Sequence, residues 1–152
     1  MNMGIVQHTA SFLIPQPVER LFPLFTPEGE KLWAPGWDYE NLIGTTDLSE
    51  DYVFLTAAHD HASYQAIWLV KRYRPEEGLV EYYRVEPEDK VGVVTVRCCP
   101  EDDGGTHVEV TYKYIPLSER GQAFISSYSQ QAHEEFIAGW QTQLESYFKR
   151  KG

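Results

Sequence analysis

An α+β domain, an antiparallel sheet backed by one long C-terminal helix, is the fold class that this chain of 152 residues predicts. Three observations carry that reading. Apolar residues alternate with period two between residues 39 and 115, turn clusters interrupt them about every ten residues, and a stripe of helical period runs from residue 118 onward. The length suits a single domain spanning residues 1–152. A domain of that size buries roughly 68–70% of its unfolded surface and needs no disulfide or metal to hold a core.

Residues 5–14 read as the first strand, with Val6, His8, Ala10, Phe12 and Ile14 on one side and Gln7, Thr9 and Ser11 on the other. Pro15-Gln16-Pro17 ends it, and Pro17 suits the first position of a helix. That helix carries Val18, Leu21, Phe22 and Phe25 on its apolar side and is kept short by Pro23. Thr26-Pro27-Glu28 supplies a cap, a first-turn proline and an acidic residue, the start of a second short helix that Pro35-Gly36 stops after Trp33. Six strands follow, at residues 39–44, 52–58, 63–73, 79–86, 92–99 and 106–115, divided by Asp, Gly, Pro and Ser clusters. The last strand is the clearest, with Val108, Val110, Tyr112 and Tyr114 inward and Glu109, Thr111 and Lys113 outward. The pattern does not fix the inward face of the middle strands. Beyond Pro116 one helix, capped by Ser118, is expected from residue 118 to 149. It ends in Lys149-Arg150-Lys151, which suit the negative end of the helix dipole. At about 1.5 Å per residue it spans more than roughly 40 Å, enough to lie diagonally across the sheet.

Leu24-Phe25-Thr26-Pro27-Glu28-Gly29-Glu30, then Trp33 and Pro35-Gly36-Trp37, resembles the LFTPEGE..W.PGW segment of one bacterial branch of the SRPBCC superfamily. That superfamily includes START domains, polyketide cyclases and plant pollen allergens. Trp68-Leu69-Val70 before Tyr73, Tyr83-Arg84-Val85-Glu86-Pro87, and Thr111-Tyr112-Lys113-Tyr114 before Leu117-Ser118 extend the likeness from residue 12 to about 148. The resemblance implies a START-like helix-grip fold: a seven-stranded curved antiparallel sheet wrapped around the long helix, with two short helices between strands 1 and 2. It implies a ligand cavity without naming the ligand, because lipid carriers, cyclases, hydrolases and regulators share the fold.

A formal charge of −10 and a pI near 4.9 argue against nucleic acid and anionic membranes as partners. The start of the chain lacks the pattern of a signal peptide, and no stretch reaches the roughly 18 apolar residues of a membrane span. Cys98 and Cys99 are adjacent in a strand and should point to opposite faces, so no disulfide joins them and a reducing cytoplasm fits. No cofactor motif is present: the chain has neither a P-loop nor a dinucleotide-binding glycine pattern. His59-Asp60-His61 has the spacing of some zinc sites but no visible third ligand. His133-Glu134 begins like a zinc-protease helix, yet Ile137 stands where the second histidine is required. No metal is expected.

Aromatic residues make up 14% of the chain, and aromatics both fill cores and line pockets. On a continuous wheel, the inner face of the last helix collects Ile125, Ser129, Ala132, His133, Phe136, Gly139, Trp140, Gln143 and Tyr147. Small residues beside Phe136 and Trp140 either leave room for a ligand or let the helix pack closely on the sheet. Ser129 and His133 are the polar ligand-binding candidates, and Phe22, Phe25, Trp68 and Tyr112 complete the expected wall. Trp33 and Trp37 either cap one end of the cavity or act as structural plugs. Glu30 could orient a substrate or hold loop amides, and Arg84 and Arg97 could face inward or pair across strands with Glu. The first reading is a binding protein for a small hydrophobic molecule, aromatic or lipid-like. The second is a cyclase, dehydratase or hydrolase using His133 and a tyrosine. The third is an interaction domain with a vestigial cavity, a possible homodimer.

Overall fold

The structure, a computed structural model, describes residues 4–57 and 65–151. Its strands are β1 (Val6–Ile14), β2 (Glu40–Asn41), β3 (Val53–Ala57), β4 (Gln65–Arg74), β5 (Leu79–Glu86), β6 (Lys90–Pro100) and β7 (Thr106–Pro116). All seven form one antiparallel sheet in the order β1-β7-β6-β5-β4-β3-β2. From β2 onward each strand pairs with the next in sequence. β1 instead closes against β7, with Val6 opposite Tyr114 and Ile14 opposite Thr106. Inward residues alternate as the sequence implies: Phe12 and Ile14 on β1, Val94, Val96 and Cys98 on β6, and Val108, Val110, Tyr112 and Tyr114 on β7 are buried. Cys98 is buried and Cys99 exposed, and neither is in a disulfide.

The expected strand at 39–44 is reduced to two residues. The Asn41 side chain causes this: its Oδ1 accepts hydrogen bonds from the amides of Ile43 (3.1 Å) and Gly44 (2.9 Å), turning the backbone out of the ladder. Leu42 and Ile43, which extended the apolar run, are exposed. β4 carries a register shift between Val70 and Arg72.

Between β1 and β2 lie α1 (Val18–Leu21), a tight 3-10 turn (Phe22–Phe25) and α2 (Pro27–Glu30). Pro23 sits in the first turn of the 3-10 segment, where its missing N–H costs nothing. Thr26 caps α2, accepting from the Gly29 amide at 3.1 Å. A Cβ on Gly29 would lie 2.0 Å from the Pro23 carbonyl oxygen, so only glycine lets the two turns close on each other.

The C-terminal segment is two helices rather than one: α3 (Glu119–Ser127) and α4 (Gln130–Lys151). Ser118 caps α3, its hydroxyl accepting from the Gly121 amide at 3.2 Å. Tyr128 then leaves helical geometry at φ −89° and ψ 89°, and Ser129 restarts the helix, accepting from the Ala132 amide at 3.1 Å. The break resets the helical phase. α4 therefore buries Ile137 and Leu144 beside His133, although a continuous wheel anchored on Ile125 selects only His133 of the three. Its closest approach is to β1, and it stands off the strands from β3 to β6.

Candidate ligand cavity

The space left by that stand-off is a cavity of about 1190 Å³, open to solvent. Its α4 wall is Phe136, Gly139, Trp140 and Gln143. Its sheet wall includes Trp68, Tyr82, Val94, Val96 and Tyr112, and Phe25, Trp33 and Trp37 close it from the short-helix segment. Hydrogen bonds lock three indoles: Trp33 Nε1 donates to the Leu24 carbonyl (2.7 Å), Trp37 Nε1 to the Pro27 carbonyl (2.9 Å) and Trp68 Nε1 to Thr56 Oγ1 (2.9 Å). Ring contacts tie the walls together, Trp140 lying 6.1 Å from Phe25, 5.7 Å from Trp33 and 6.4 Å from Tyr112. Gly139 adds no volume, and a Cβ built there meets no atom within 4 Å.

Polar groups on the wall fall into two sets. On the floor, Arg84 Nη2 is 2.7 Å from Glu86 Oε1, and Lys90 Nζ is 2.5 Å from Glu86 Oε2 and 3.3 Å from Asp89 Oδ2. All four residues are buried, and the two cations also lie over aromatic faces, Arg84 over Trp68 and Lys90 over Phe124. Each cation is thus matched by a carboxylate, although Arg84 Nε has no hydrogen-bond partner. Glu30 is the other set. Its carboxyl faces the cavity with no hydrogen-bond or ion-pair partner among the described residues. Desolvation alone pushes its pKa up to about 8, so the group is mostly neutral at pH 7. Its charged form would further raise the Tyr82 and Tyr112 phenols, already held well above their ordinary range by burial. Tyr82 spends its proton on the Phe25 carbonyl at 2.7 Å.

Where α3 meets α4, Tyr128 lines the cavity and its hydroxyl lies 2.6 Å from His133 Nδ1. His133 Nε2 is 3.0 Å from the Val110 carbonyl, which can only accept. His133 therefore carries its proton on Nε2, and Nδ1 accepts from Tyr128. Burial lowers the His133 pKa and raises that of Tyr128, which favours the neutral pair. His8 Nε2 reaches the Tyr128 carbonyl at 2.9 Å, so the break between the helices is fastened to β1.

No family model and no curated protein sequence matches this chain. Solved structures do match it. Norcoclaurine synthase of Thalictrum flavum, as a point mutant with a transition-state analogue, aligns with a TM-score of 0.71 at 10% identity, over 100% of this chain and 99% of that one. The Zhui aromatase/cyclase of Streptomyces sp. R1128 gives 0.69 at 10% identity over 98% and 97%. Ara h 8.0201 gives 0.60 at 15% identity over 90% and 99%. The chain has the START-like helix-grip fold. The expected grip differs in one respect: the gripping element is α4 alone, with α3 set apart by the break at Tyr128-Ser129.

Within this helix-grip cavity the structure brings together Phe25, Trp33, Trp37, Trp68, Tyr112, Phe136 and Trp140. Three expected residues lie off its lining. Phe22 is buried behind the wall, stacked on Tyr73 at 6.0 Å. Ser129 is exposed and serves as the cap of α4. His133 is turned toward β7 and lies behind the lining residues Tyr128 and Tyr112. Arg97 is exposed opposite Glu109, whereas Arg84 points inward. Sequence reasoning did not select Tyr82, Lys90 or Tyr128, since the middle strands show no single apolar face. One signal for Tyr128 was available: Ser126, Ser127 and Ser129 surround it, and serine favours caps over helix interiors. His59 and His61 lie outside the described residues. Among the described residues, no group of three or more His, Cys, Asp or Glu is placed to hold a metal, and no helix is long and apolar enough to cross a membrane.

Proposed function

We propose that the chain binds a small, mostly apolar molecule, aromatic or lipid-like, between α4 and the sheet. The carrying observation is the cavity itself, about 1190 Å³ behind an aromatic wall. Ligand sites run to roughly 300–1,000 Å³, and close-packed interiors leave few voids larger than a water molecule. If the space is a binding site, aromatic compounds stabilise the protein by mass action, by about 2.7 kcal/mol at a hundredfold excess over Kd. Gly139→Leu puts a side chain into the open volume and should abolish that response while the variant melts at or above the wild-type temperature, since glycine is the weaker helix former. Thermal-shift screening of both proteins against an apolar ligand library checks this. A wild type that responds to nothing, or a variant that responds equally, sinks the proposal.

The Tyr128–His133 contact favours a second reading, proton transfer to a bound substrate, and the fold's occurrence in a synthase and a cyclase is compatible with it. Binding ranks first because burial opposes ionising either member of the pair. Tyr128→Phe separates the two. A binder keeps its affinity, whereas an enzyme loses conversion of the bound compound, followed by mass spectrometry.

A further inference from the structure

Charge around the cavity is unevenly compensated. Arg84 and Lys90 share the buried Glu86 carboxylate, at 2.7 and 2.5 Å, and Lys90 also meets the buried Asp89 at 3.3 Å. Glu30 has no such partner among the described residues, although it faces the same space. The remaining charged groups on the lining, Asp38, Glu40 and Glu135, are all acidic and exposed. A cation entering the cavity passes these acidic groups, in a chain that already carries −10. The same space is walled by Trp33, Trp37, Trp68, Trp140, Tyr82 and Tyr112, whose ring faces attract a desolvated ammonium.

Resting on the binding function above, we propose that the ligand is an aromatic or apolar amine whose ammonium group pairs with Glu30. An acid would have to displace Glu86 from Arg84 or settle for its Nε, against the carboxylates of the rim. An amine needs no displacement, and its ammonium gives the Glu30 carboxyl a partner that the described residues do not supply. Because Glu30 holds its proton up to about pH 8 when unpartnered, amine binding at pH 7 expels it. The Tyr82 and Tyr112 phenols that feel Glu30 are held well above their ordinary range by burial and contribute no proton, and Arg84 is paired with Glu86 at 2.7 Å.

The test compares naphthylmethylamine, naphthylmethanol and naphthoate by calorimetry at pH 7, in two buffers of different ionisation enthalpy. The expected result is amine affinity at least tenfold above that of the alcohol, with release of close to one proton. In Glu30→Gln the preference of amine over alcohol and the proton release disappear. Equal affinity for amine and alcohol, tighter binding of naphthoate, or an amine preference that survives Glu30→Gln would each overturn the assignment while leaving the cavity's role intact. The alcohol arm tests the cavity separately: if none of the three probes binds, the binding function falls and the amine assignment falls with it.

Discussion

At Glu30 a single side chain sets a pH dependence for the whole fold. An unfolded chain ionises this carboxyl near 4.5, whereas the folded chain holds its proton to about 8. Between those values the native state binds the extra proton, so stability falls as pH rises, by up to about 1.4 kcal/mol per unit. The contribution is fully present below the lower value and lost above the upper one. Glu30→Gln removes this slope, so urea denaturation of wild type and variant from pH 5 to 9 should show curves that diverge with rising pH, the variant being the more stable. Parallel curves would mean that Glu30 is hydrated. Cys98 behaves in the same sense without a cavity: burial pushes its thiol up to about 12, so it is inert to alkylation at neutral pH.

The break between α3 and α4 rests on one capping hydroxyl and one close approach. Ser129→Ala loses the cap of α4 and should cost about 1 kcal/mol in denaturant unfolding. At the other end of α3, a Cβ on Gly121 would lie 1.8 Å from the Asp89 carbonyl oxygen. Gly121→Ala should therefore cost about 1–3 kcal/mol even though alanine is the better helix former. A neutral result would show that α3 is free to shift on the β5–β6 turn. This junction also marks the limit of what the sequence alone discloses. Strand alternation, the Thr26 and Ser118 caps and most aromatic positions of the wall are readable, because period and capping chemistry are local. A two-residue break inside a continuous polar-apolar pattern is not, since it shifts the buried stripe of the later helix without changing the pattern's period. That is how Ile137 and Leu144, both fully buried, were passed over in favour of Phe136, which is 45% exposed. The pairing of Arg84 with Glu86 was equally hidden: the two face the same side of β5, and which side is inward depends on the whole sheet.

On the scale of the molecule, Glu86 bridges two buried cations, and Asp89 extends the cluster to Arg120 of α3 at 3.9 Å. Glu86→Gln leaves Arg84 and Lys90 short of a counter-charge and should destabilise by about 3–5 kcal/mol, read as a drop in the urea midpoint. A loss below about 1 kcal/mol would mean that water reaches the cluster. The sheet order has a different consequence, in time rather than in energy. β1 is made first, but its partner β7 lies roughly a hundred residues downstream, and sheets dominated by such pairings fold in milliseconds to seconds. α4 in turn docks against β1. The hairpins from β4 to β7 can close from neighbouring sequence, so β1 is expected to join late. Stopped-flow kinetics should then show Ala10→Gly in β1 speeding unfolding with little change in refolding, and Val80→Ala in β5 slowing refolding. The reverse pattern would refute that order. During synthesis, the amino-terminal strand leaves the ribosome as an unpaired apolar edge and stays so until residue 116 has emerged. The chain is therefore most exposed to aggregation before its last helix has been made.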